Sequence, residues 1–94
     1  MSFEQDCFVT MAQLGEINKV AGDLLGTVDE TRDTLKRLGL RGSAMDHDEM
    51  FHHHIHISRY KALAIHLRSR LNETIESLEK LMEETSRYVS EAKK

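Results

Sequence analysis

The chain has no proline and no tryptophan, one cysteine, three phenylalanines and two tyrosines in 94 residues. Without proline the chain lacks the usual punctuation of turns and fixed kinks, so long uninterrupted helices are the expected architecture, all-α in class. The lone Cys7 leaves no internal disulfide framework and suits a reducing compartment. It reads as a small apolar residue near a helix start. No apolar run approaches the roughly 20 residues that span a bilayer, and the segment before Thr10 carries Glu4 and Asp6 without a single basic residue, unlike a signal peptide. The expectation is therefore a cytoplasmic chain with no membrane segment. A net charge of −3 gives no electrostatic reason to expect nucleic acid as the main partner, although Arg59, Lys61, Arg68 and Arg70 form a local basic stretch. Ninety-four residues make one domain, residues 1–94, with room for only a modest core.

What is abundant is helical periodicity. Ile57, Tyr60, Ala64, Leu67, Leu71, Thr74, Leu78, Leu81, Thr85, Tyr88 and Ala92 recur at spacings of three and four, a heptad seam. Ile75, Met82 and Val89 stand one residue beyond alternate seam positions and widen the stripe into the broad face of a packed bundle helix. On the other side, Glu76 with Lys80 and Glu83 with Arg87 have the favoured order for ion pairs one turn apart. Leu67, Leu71, Leu78, Leu81 and Tyr88 are the expected interface residues.

Before this helix, Ser2-Phe3-Glu4-Gln5 has the form of a capping box. Phe3, Cys7, Met11, Leu14, Asn18, Ala21, Leu25 and Val28 make a stripe from that start, widened by Phe8, Ile17, Val20 and Leu24. Gly26 followed by Thr27 and Glu30 could end one helix and cap another, but the stripe runs on through Thr31, Leu35 and Leu38, which favours a continuous helix. The predicted elements are a helix over about 3–38, a turn at 39–43 built on Gly39 and Gly42, and a helix over about 44–92 capped by Ser43 and followed by Asp46. The arms of this long antiparallel hairpin would be unequal, about 37 against about 49 residues, leaving the apolar residues from Leu81 to Val89 beyond the reach of the first arm. Dimerisation into a four-helix bundle would cover them.

Five of the six histidines fall between His47 and His56. Glu49, His52, His53 and His56 lie at i, i+3, i+4 and i+7 of a helix, one stretch of surface, and imidazoles one turn apart can bind zinc, nickel, copper or iron with a carboxylate as a further ligand. Glu49-Met50-Phe51-His52 resembles the Glu-x-x-His element of ferritin-like di-iron bundles, which implies a glutamate from a neighbouring helix; Glu30 and Glu16 are candidates. The resemblance covers those four residues alone. The same cluster could serve as a proton-sensing interface, or as a polar helix start with His53 and His54 at an interface. His66 reads as an interfacial histidine. No nucleophile has a positioned base in the pattern, so an enzyme reading would require metal-dependent oxidation of the ferroxidase class.

Two functions follow. The first is a small helical interaction or assembly protein that self-associates as a homodimer, or binds a helical protein partner, through a coiled-coil-like seam. The second is a metal-binding helical protein, a ferroxidase or a sensor, that uses Glu49, His52, His53 and His56.

Overall fold

The computed structural model describes residues 2–92. Among them every regular element is helical: α1 (Phe3–Leu25), α2 (Val28–Arg41), a single 3₁₀ turn (Gly42–Ala44) and α3 (His47–Ala92). No helix among these residues is long and apolar enough to cross a membrane.

The chain divides into two compact units, one from residues 1–19 and 68–94 and one from residues 20–67. In the first, α1 and α3 segments pair antiparallel. Lys80 Nζ lies 3.3 Å from the carboxylate of Asp6, and Phe3 lines a groove with Glu84, Thr85, Tyr88 and Val89. In the second, α2 and the first turns of α3 form a helical hairpin. Glu30 meets His56, while Val28, Thr31 and Leu35 share a groove with Ile57 and Tyr60.

The start of α1 follows its sequence. Ser2 Oγ accepts a hydrogen bond from the Gln5 amide at 3.2 Å, and the Gln5 side chain accepts one from the Ser2 amide at 3.3 Å, closing a capping box. The continuous first helix is corrected: it is interrupted at Gly26–Thr27. There the Thr27 amide bonds the Leu24 carbonyl, three residues back instead of four. Neither sequence device operates at this break, because no glycine has a positive φ and the Thr27 hydroxyl donates back to the Leu24 carbonyl at 2.8 Å instead of capping α2.

The turn also differs from the expected 39–43. Gly39 is helical, α2 runs on to Arg41, and the connection occupies Gly42 to Asp46. The cap of α3 is Asp46, whose carboxylate accepts from the Glu49 amide at 2.8 Å; Ser43 sits in the 3₁₀ turn instead. The overhang is corrected within the first unit: Phe3 shares its groove with Thr85, Tyr88 and Val89, so the end of α3 is met by α1 of the same chain.

The helix phase carries the largest difference. On α1 and α2 the residues turned inward are Asp6, Thr10, Gln13, Ile17, Val20, Leu24, Thr27, Thr31, Thr34 and Leu38, all buried or half-buried. On α3 they are His53, His56, Tyr60, Leu63, Leu67, Arg70, Thr74, Ser77, Leu81 and Glu84. Both series keep the three-four spacing of a heptad seam. The α1 series stands one residue before the apolar stripe, and the α3 series coincides with the expected seam only at alternate positions. Val20, 4% exposed, is the one buried hydrophobic side chain among the described residues.

Threonine tolerates the inward position because its hydroxyl closes on its own helix. Thr10 donates to the Asp6 carbonyl at 2.8 Å, Thr31 to Thr27 at 2.7 Å and Thr74 to Arg70 at 2.9 Å, leaving a methyl group to face the neighbouring helix. The expected Glu76–Lys80 pair is absent from the described ion pairs because Lys80 reaches Asp6 on α1.

The two candidate caps of α3 separate experimentally. Asp46→Ala should lower stability by about 1 kcal/mol, read as an earlier urea midpoint by circular dichroism, while Ser43→Ala should leave the midpoint in place.

Candidate functional site

Two features stand out, one in each unit. The first is the histidine-bearing start of α3. His52 and His56 sit one turn apart with their Nε2 atoms 3.2 Å from each other and their rings edge to face at 4.7 Å. His56 Nδ1 lies 2.9 Å from Glu30 Oε1 on α2. A neutral His56 held this way donates its Nδ1 proton to Glu30, so the Nε2 lone pair faces His52.

The other members of the cluster go elsewhere. His53 is 8% exposed, and its Nδ1 is buried with no hydrogen-bond partner. Glu49, His54 and His66 are exposed. The expectation of an interfacial His66 is thus not met within the chain, and of the adjacent pair only His53 turns inward. Asp48 lies 3.7 Å from His47, not beside His52, and His47 stacks on Phe51 at a centroid distance of 6.4 Å. Glu16, the other candidate glutamate, is exposed on α1. The structure therefore brings together His52, His56 and Glu30, and does not gather Glu49, His52, His53 and His56 around one point. Among the described residues no three His, Cys, Asp or Glu side chains converge closely enough to hold a metal by themselves.

The second feature is the surface of the unit built from residues 2–19 and 68–92. One position after the inward residues stand Cys7, Met11, Leu14 and Asn18 on α1, and Leu71, Ile75, Leu78, Met82 and Thr85 on α3. Two right-handed helices running antiparallel place these two stripes on the same side of the pair. One position before the inward residues stand Gln5, Val9, Ala12 and Glu16, with Ser69, Glu73, Glu76, Lys80 and Glu83. The unit is thus apolar on one side and largely charged or polar on the other.

The expected interface residues divide accordingly. Leu67 and Leu81 are half-buried inside the chain, whereas Leu71 and Leu78 are 42% and 40% exposed on the apolar side and Tyr88 is 73% exposed. Phe3, Met11, Leu14, Ile75, Met82 and Val89 are exposed with them. Between the helices, Asp6 Oδ2, Gln13 Oε1, Arg70 Nε and Glu84 Oε2 are buried without hydrogen bonds. Lys80 approaches the Asp6 oxygen only as an ion pair, and Arg70 bonds Glu73 through Nη1 at 3.1 Å. Sequence reasoning missed this polar seam. Its signal was present in the three-four spacing of Asp6, Thr10 and Gln13.

No family model, curated protein or solved structure matches the chain.

A buried imidazole nitrogen without a partner is a local cost, because its hydration is lost and nothing replaces it. His53→Leu should therefore raise the urea midpoint or leave it unchanged. A fall of more than about 1 kcal/mol in unfolding free energy would mean that His53 makes a favourable polar contact.

Proposed function

We propose that this chain is an assembly protein that pairs with a second copy of itself through the apolar side of the unit formed by residues 2–19 and 68–92. The paired units would make a four-helix bundle, with Leu71, Ile75, Leu78 and Met82 from α3 and Phe3, Met11 and Leu14 from α1 at its centre. The observation that carries this reading is the one-sidedness of that unit. Most of its large exposed apolar residues, among them Met11, Leu14, Leu71, Ile75, Leu78 and Met82, lie on one face, with Phe8 and Val9 outside it, while its interior seam sets threonine, serine, glutamine and charged side chains beside only Ile17 and Leu81.

A contiguous apolar patch of this kind on a small chain marks an association surface. A second copy suits it because both helices contribute stripes to the same face, and a two-fold axis across that face sets each stripe against apolar residues.

Sedimentation equilibrium at micromolar concentration should give a dimer for the native chain. A monomer should result when Leu71→Gln and Leu78→Gln are combined, whereas Glu76→Gln with Glu83→Gln, on the charged side, should keep the dimer. A leucine variant that still dimerises, or a native chain that stays monomeric, would overturn the proposal.

A further inference from the structure

We propose that His52 and His56 form a two-nitrogen chelate for a late first-row divalent cation, copper(II) above nickel(II) and zinc(II), and that Glu30 is the residue that orients it. The chelate would lie within one chain and use neither His53 nor the assembly face.

The distance is the first argument. Two nitrogens bound at 2.0–2.1 Å to one tetrahedral ion lie roughly 3.3–3.4 Å apart, and in adjacent corners of a square plane roughly 2.9 Å apart. The Nε2 atoms of His52 and His56 are 3.2 Å apart. The separation therefore already matches a chelate, and a turn of the rings that brings both Nε2 lone pairs to one point completes it. The one-turn spacing along α3 puts the two side chains on the same helical surface, so the backbone holds the pair.

Orientation is the second argument. An imidazole that binds through Nε2 is held by a partner at Nδ1, most often a carboxylate or a carbonyl, which selects the tautomer and makes the free nitrogen more basic. Glu30 Oε1 occupies that place on His56 at 2.9 Å, and it comes from a different helix, so the contact is tertiary. In the free protein the His52–His56 hydrogen bond needs one proton between the two Nε2 atoms; with His56 protonated at Nδ1, that proton belongs to His52. Binding moves the His52 proton to its own Nδ1, a tautomer exchange with water that leaves the ring neutral and gives the cation both lone pairs.

Access is the third. His52 is exposed and the His56 side chain is 21% exposed, so a hydrated ion can reach both nitrogens. The remaining coordination positions fall to water. The preference for copper(II) follows from two imidazoles with open positions and from the general affinity order of divalent ions.

The test is titration of the full-length chain, without an affinity tag, with copper(II), followed by electron paramagnetic resonance, with zinc(II) as competitor. One equivalent should bind, with hyperfine structure from two imidazole nitrogens. His52→Ala and His56→Ala should each abolish that two-nitrogen signal, and Glu30→Ala should weaken affinity about 10- to 100-fold. His47→Ala, His54→Ala and His53→Leu should leave binding unchanged. A direct readout on the native chain, nitrogen-15 shifts of the histidine rings, should show His52 and His56 responding to zinc(II) through Nε2 while the other four rings stay in place. The Leu71→Gln, Leu78→Gln double variant should bind as tightly as the native chain whether or not it is monomeric, which keeps this inference separate from the assembly reading. Loss of binding in that variant, equal loss in His47→Ala or His54→Ala, or a ring response spread over all the histidines would overturn it.

Discussion

Two helices lying side by side can hide only about two residues in seven along each partner, and in this chain threonines, a serine and a few charged side chains share those places with aliphatic residues such as Ile17, Val20 and Leu81. Threonine fills them without leaving a donor stranded, since Thr10, Thr31 and Thr74 each bond a carbonyl one turn back on their own helix. The larger apolar residues are then displaced to a neighbouring position on the helix surface. Val20 is the only buried hydrophobic side chain among the described residues. Burial of apolar surface is the dominant favourable term in folding, and a pair that hides threonine while leaving Leu71 and Leu78 exposed leaves part of that term unused.

The unsatisfied atoms point the same way. Asp6 Oδ2, Gln13 Oε1, Arg70 Nε and Glu84 Oε2 all lie between the helices of one unit. Asp6 has the Lys80 ion pair, but the other three have no partner, which is many for the finished interior of so small a unit. They are expected where helices touch on one side and solvent still borders the other, because a side chain released from the seam regains water at little cost. Covering the apolar side would raise the cost of leaving them unpaired. Any partner must therefore permit small adjustments of Gln13 and Arg70.

The helical class, the spacing of three and four, and the Ser2–Gln5 capping box were legible in the residues because each is local. Helix phase was not local. The apolar stripe through Cys7, Met11 and Leu14 and the seam through Asp6, Thr10 and Gln13 have the same period and differ by one residue. Hydrophobicity alone selects the first, and the tertiary pairing selects the second. Glycine misplaced the turn for a related reason: Gly39 and Gly42 mark a turn only if the chain needs a positive φ, and none of the glycines adopts one. Asp46 was the informative residue, since a carboxylate three residues before Glu49 can satisfy an amide that no helix residue can.

The histidine cluster shows why surface proximity on a helix does not amount to a shared ligand point. Residues 52 and 53 are adjacent in sequence and therefore about 100° apart around the axis. When the seam captures His53, His52 must leave it, and the two rings, 6.1 Å apart and tilted, end in different surroundings. His56, one turn beyond His52, stays at the margin between seam and solvent, where Glu30 of α2 can reach its inner nitrogen while His52 faces its outer one. The four-residue pattern of Glu49, His52, His53 and His56 thus resolves into one buried imidazole, one solvated carboxylate and one coupled pair. Glu30 decides which nitrogen of that pair is available, and it does so from a helix that sequence spacing along α3 could not relate to the pair.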